Sequence, residues 1–230
     1  MTHETAASRR VRSVALPLHG SMAGVALALA VWGTAAAKTI VLDAGTAADR
    51  MAGICDVAPR QSWATFEQWS ATFYSNAVQV QPGRGFLIRF RLDAIPPGQQ
   101  ITHAELIVPV TTYSSTDVRF YLWRVLADWD AGVCHLYRVA IPKKIPWTRP
   151  GARGGSSDRA TRPTAIVRLT EGPGEQVINV TEDVDLWYSG AAPNNGWLLS
   201  VEDPATSVRF QCPTWDGGQS WRLRITYEPQ

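Results

Sequence analysis

The chain is short of charge, of histidine, of cysteine and of long apolar runs, and each shortage excludes a class of protein. Charged residues make up 18% of the 230 residues and hydrophobic ones 45%, a balance that folds and rules out a largely disordered chain. No apolar stretch reaches the roughly 18 residues of a membrane-spanning helix, which excludes a polytopic membrane protein. Three cysteines (Cys55, Cys134 and Cys212) are too few for a disulfide scaffold. In an oxidising compartment two of them can pair, and the choice among three pairings stays open. Histidine and cysteine do not cluster as a zinc site requires, and no Gly-x-Ser-x-Gly, His-Glu-x-x-His or phosphate-loop pattern occurs. Cys134-His135 is a poor thiol–imidazole pair, because neighbours on a strand point to opposite faces. Asp128 and Asp130, which glycoside chemistry could use, are better explained by turn formation and Arg pairing.

What the chain does contain begins with an export signal over residues 1–37. Arg9, Arg10 and Arg12 form a basic start, Met22 to Trp32 is apolar, and Ala35-Ala36-Ala37 supplies the small-residue cleavage pattern, so the cut is placed after Ala37. The destination is secreted or cell-surface. Without the leader's three Arg and one Glu, 19 basic and 19 acidic residues remain, and the overall charge of +2 disappears. A neutral domain argues against nucleic acid as a partner, and any anion binding has to come from a local patch.

Residues 84–230 are dominated by period-two alternation, the mark of strands with one face on a core. Phe86, Ile88, Phe90 and Leu92 share one face, with Arg89 and Arg91 on the other. Ile95-Pro96-Pro97-Gly98 is a turn, and Ala104, Leu106, Val108 and Val110 line the next strand. In Val118 to Val125, Tyr121 and Trp123 lie opposite Phe120 and Leu122. Further strands are expected over 165–169, 176–180, 197–201, 207–211 and 221–227, with two more at 39–43 and 77–81. One short helix is expected after Thr181 as its cap, with Val184, Trp187 and Tyr188 as the apolar stripe and Gly190 as the stop. The fold class is all-β, a β-sandwich with one short helix. Residues 38–83 form an N-terminal extension with the first strands, and within it 44–74 reads as a loop packed on the sheet. Residues 132–162, long and rich in Pro, Gly and basic residues, break the strand rhythm; a loop of this length points to function.

Four ordered stretches carry a family resemblance: Phe86 to Gly98 followed by Ile101 to Leu106; Leu122-Trp123-Arg124-Val125 leading to Asp128-Trp129-Asp130; Pro146 to Gly154; and Asn179 to Trp187 followed by Asn194-Asn195-Gly196-Trp197-Leu198-Leu199. Together they resemble one copy of the DNRLRE domain, also described as carbohydrate-binding module family 96, over about residues 84–227. The hexapeptide that names the domain is absent. The resemblance implies a jelly-roll β-sandwich in an exported or surface protein, a non-catalytic role, and for some members an alginate ligand.

The candidate binding residues lie in the basic segment. Lys143, Lys144, Arg149, Arg153 and Arg159, with Arg138 and Arg162, face a single acid, Asp158, and Trp147 sits among them. A uronate polymer needs this combination: Arg pairs bidentately with carboxylate, and an indole covers the apolar side of a pyranose ring. Trp215, in a probable turn, is a second candidate contact. No cofactor is required; calcium is retained as a candidate ion with Asp183, Asp185, Asp203 and Asp216 as oxygen donors. The first functional reading is an exported, non-catalytic binder of an acidic polysaccharide or cell-envelope component. The second is a structural surface or matrix protein with no soluble sugar ligand. A binder is expected to expose Trp147 among converging guanidinium groups; a structural domain is expected to bury it.

Overall fold

The alternating segments of the sequence become strands in the computed structural model, which describes residues 36–64, 77–114, 117–170, 172–204, 206–211 and 220–230. The leader expected over 1–37 lies outside the described residues except for 36 and 37, and so do Trp215, Cys212 and Asp216.

One sheet has six strands: β1 (Lys38–Asp43), β3 (Ala77–Val80), β5 (Gln99–Tyr113), β10 (Gly174–Asn179), β12 (Val208–Gln211) and β13 (Arg222–Pro229). Its hydrogen-bonded order is β1–β13–β5–β12–β3, with β10 also paired to β5. β10 and β13 both pair Glu105 to Ile107, so they flank β5 on opposite sides. The second sheet runs β2 (Ala48–Cys55), β4 (Arg84–Phe90), β11 (Trp197–Ser200), β6 (Val118–Arg124) and β9 (Ala165–Leu169). All described pairings are antiparallel. Side chains on the facing sides of the two sheets form one core. Leu106, Val108, Phe210, Leu223 and Ile225 come from the first sheet, and Phe86, Ile88, Phe120, Trp197 and Leu199 from the second. Edge-to-face ring contacts at Phe86–Trp221 (5.2 Å) and Phe120–Phe210 (5.1 Å) tie the layers together. The molecule is an all-β sandwich.

Among the described residues two short helices are present where one was expected. A single turn, α1 (Ala44–Ala47), joins β1 to β2, with the Asp43 carboxylate accepting from Gly45 N at 2.8 Å. The expected helix is α2 (Thr181–Tyr188), but Thr181 is its first helical residue and not its cap. The Thr181 hydroxyl instead accepts from Ala104 N at 2.9 Å, pinning the helix to β5. β2 falls within the segment read as a loop, and β1, β2 and β3 are integral strands of the two sheets.

The basic segment is the largest departure. It is not an open loop but a third layer on the outer face of the second sheet. Its hairpin, β7 (Tyr137–Val139) with β8 (Ile145–Pro146), and the chain around it enclose a second core of Trp129, Val133, Trp147 and Ala152 against Ile54, Leu87 and Leu198. A buried indole removes about 200 Å² from water, or roughly 5 kcal/mol for each of Trp129 and Trp147 at 25 cal/mol per Å². This covering explains why Trp197–Ser200 is buried at every position, with no alternation of exposure.

Candidate binding cleft

Two carboxylates set the path of the covering layer. Asp130 accepts from the backbone N–H groups of Gly132 (2.9 Å), Ala140 (3.1 Å) and Ile141 (3.3 Å), which turns the chain into and out of the hairpin. Asp158, 1% exposed, accepts from Thr148, Arg149 and Gly154 N–H groups, each at 2.9 Å. Between them the backbone takes left-handed φ at Gly151 (78°) and Ala152 (56°), the second an uncommon conformation for a residue with a Cβ. Gly151 N donates to His135 O at 2.7 Å, and the His135 ring packs against Gly151.

This path brings two of the expected binding residues, Arg153 and Arg159, to a cleft at the border of the layer. Arg84, Gly85, His135 and Ser200 complete its wall. Its enclosed part holds about 10 Å³, room for one water-sized group. Beside it, on the same sheet face, the half-buried Tyr121 and Trp123 stack with centroids 6.0 Å apart and planes at 20°. The Arg159 guanidinium lies 3.7 Å over the Trp123 ring, a cation–π contact. Hydrogen bonds close a ring around it: Trp123 Nε1 donates to Ser200 Oγ (3.0 Å), and Ser200 Oγ (2.9 Å) and Arg159 Nη1 (3.0 Å) both donate to Glu202 Oε1.

The other expected contacts separate from this cleft. Trp147 is 3% exposed and its Nε1 donates to Cys134 O at 2.9 Å, so its faces are covered by protein and cannot stack on a sugar. The expectation fails because the pull of apolar burial on the indole outweighs the basic composition around it. Trp147→Ala is expected to cost about 3–5 kcal/mol, read as a lowered urea midpoint. Lys143, Lys144 and Arg149 are exposed on the hairpin side, with Lys144 Nζ 5.4 Å from the Tyr137 ring centroid. Arg84, Tyr121, Trp123, Ser200 and Glu202 carry no binding signal in the sequence beyond the Tyr121-x-Trp123 spacing, which places both rings on one strand face.

Glu202 and His135 carry the site's displaced ionisations. Burial pushes the Glu202 carboxyl up, but the hydrogen bonds from Arg159 and Ser200 outweigh it and hold the group below its usual range. An acid stabilised in this direction contributes fully above its unfolded value of 4.5 and loses that contribution as pH falls through its lower folded value. The wild-type Tm is therefore expected to drop below pH 4.5 more steeply than that of Glu202→Gln, a comparison made by thermal scans from pH 6 to 3. The His135 imidazole is lowered by burial and by Arg153, against the opposing pull of Asp56.

Of the carboxylates expected as calcium ligands or catalytic groups, Asp183, Asp128 and Asp130 are occupied within the protein, Asp185 and Asp203 are exposed, and Asp216 lies outside the described residues. Asp183 Oδ1 accepts from Arg124 Nε (3.0 Å) and Oδ2 from Thr164 Oγ1 (2.6 Å) and Trp197 Nε1 (2.7 Å), while burial raises its pKa. Asp128 pairs with Arg89 (3.2 Å) and Arg50 (3.6 Å). Among the described residues no group of three or more His, Cys, Asp or Glu side chains comes together as a metal site. Cys55 and Cys134 are buried free thiols. No protein-family model and no curated protein matches the chain.

Proposed function

We propose that this protein is an exported, non-catalytic binder of an acidic polysaccharide such as alginate. The observation that carries this reading is the convergence of Arg84, Arg153 and Arg159 with His135 on one oxygen-sized cleft next to the Tyr121–Trp123 pair. Guanidinium forks match the planar carboxylate of a uronate, and Tyr121, half-buried at the end of the Tyr121–Trp123–Arg159 stack, offers an apolar neighbour for the sugar ring. The resemblance of residues 84–227 to the DNRLRE domain points the same way. The site differs from the Trp147-centred one read from sequence: its aromatics come from β6 and its cations from both β4 and the covering layer.

Affinity electrophoresis tests this reading. Alginate and pectate gels are expected to retard the protein, neutral glucans are not, and the retardation is expected to weaken with salt. Arg153→Ala, an exposed substitution, is expected to weaken the affinity it reports by about tenfold or more without a change in Tm, because each charged hydrogen bond contributes about 1.5–3 kcal/mol. Equal retardation of Arg153→Ala and wild type would remove the cleft from the proposal. A second reading, a structural surface domain with no soluble sugar ligand, is favoured by the burial of Trp147 and by the internal pairing of Arg159 with Glu202. It predicts no retardation on any gel at low salt.

A further inference from the structure

The cleft contains one group whose role goes beyond supplying fixed positive charge. His135 Nδ1 is buried and has no hydrogen-bond partner. Nε2 is neither buried without a partner nor engaged in any described hydrogen bond, so it is the ring nitrogen that solvent and ligand can reach. The ring is held in place by packing, not by polar bonds. A Cβ at Gly151 would lie 3.0 Å from His135 Cε1, which shows how closely the backbone supports it. The charged groups around it are Arg153, Arg84 and Arg159 on the cleft wall, Glu202 paired to Arg159, and Asp56, whose carboxylate lies against Gly83 of the same wall.

Resting on the carboxylate-binding reading of the same cleft, we infer that His135 is a specificity-determining residue that donates from Nε2 to the ligand's carboxylate and takes up a proton from solvent as that carboxylate binds. In the free cleft partial burial opposes a positive ring, Arg153 adds to that, and Asp56 offsets it only in part. A carboxylate in the oxygen-sized space shifts the local balance: its negative charge favours the imidazolium, whose Nε2–H donates to the carboxylate oxygen while Nδ1 carries the other hydrogen. The proton comes from solvent, arrives at the accessible nitrogen, and leaves again when the ligand departs. Binding therefore tightens as pH falls from 7.5 toward 5.5, a range in which uronate carboxylates, with pKa near 3.5, stay ionised. A site of fixed Arg and Lys charges alone would show no such dependence.

Calorimetric titration of the purified protein with an oligogalacturonate at pH 7.5 and 5.5, in two buffers of different ionisation heat, reads the effect directly. The expected result is a Kd roughly three- to tenfold lower at pH 5.5, since each unit of pKa rise on binding is worth up to tenfold. A buffer-dependent heat is expected to report net proton uptake, and both effects are expected to vanish in His135→Gln. NMR titration of the His135 imidazole supplies a second readout that does not depend on the variant folding: its pKa is expected to rise when the ligand is present. Measurable binding with the same Kd at both pH values, or an unmoved imidazole pKa, would overturn the role of His135 while leaving the cleft as a uronate site. Absence of binding at both pH values would overturn the carboxylate reading and this inference with it.

Discussion

Gly196→Ala is expected to leave little folded protein at ambient temperature. Gly196 opens β11 at φ 72°, in the left-handed region that disfavours any residue with a Cβ. More decisive is the space: a Cβ there would lie 2.1 Å from Ile88 O and 2.8 Å from Arg89 Cα, both backbone atoms of β4. Relief requires β11 and β4 to part, and those are central strands of the second sheet. The same turn holds further bonds: Asn194 Nδ2 donates to Phe90 O (2.8 Å), Asn195 Nδ2 to Leu126 O (2.7 Å), and Trp129 Nε1 to Asn195 O (2.9 Å). The loss is expected to exceed about 4 kcal/mol, at the far end of single-substitution effects. Gly98→Ala is the matched control, because φ there is also 72° but a Cβ would meet nothing within 4 Å; it is expected to cost about 1 kcal/mol from backbone strain alone. Urea unfolding followed by circular dichroism compares the two, and equal midpoints would refute the steric argument.

Asp158→Ala is expected to release the covering layer while the sandwich beneath it persists. The substitution leaves the N–H groups of Thr148, Arg149 and Gly154 without their acceptor. At about 1–3 kcal/mol for each unsatisfied buried donor, the layer loses on the order of 4 kcal/mol, comparable to the burial of one of its two indoles. The expected observations are a red-shifted Trp emission as Trp129 and Trp147 meet solvent, protease cleavage within residues 126–160, and strand-type circular dichroism close to wild type. Because His135, Arg153 and Arg159 all ride on this layer, uronate binding is expected to vanish as well. Resistance to protease equal to wild type would show that the layer is held by its apolar contacts and not by Asp158.

These two positions also show what the sequence reveals and what it hides. Strands with one wet face announce themselves, and Phe86, Ile88 and Phe90 or Ala104, Leu106 and Val108 lie inward as their alternation requires. β2 does not, because Ala52, Gly53, Ile54 and Cys55 are all buried between the core and the covering layer. A strand wet on neither face has no period-two signature, and Ala and Gly carry little strand propensity. The covering layer was legible as an anomaly, not as an architecture. Its order comes from Asp130 and Asp158 gathering backbone N–H groups up to eleven residues away, contacts that leave no periodic trace. Trp147 shows the limit of composition: cations around an indole look the same in sequence whether the ring faces a ligand or plugs a core. Conversely, the outward pair Tyr121 and Trp123 was readable from strand spacing, but the stacking of Arg159 on Trp123 joins residues 36 apart and needed the fold.

The pairing of β1 with β13 has a mechanical consequence. Lys38 lies opposite Tyr227 and Asp43 opposite Arg222, so the two strands run antiparallel and the start of β1 lies beside the end of β13. Tension applied across those two ends would load their ladder one rung at a time, peeling β1 away as a zipper opens. Strands that carry load well are pulled lengthwise past each other, with many hydrogen bonds resisting together; here each rung would bear the whole force in turn. A sandwich connected in this way yields early when stretched between its ends.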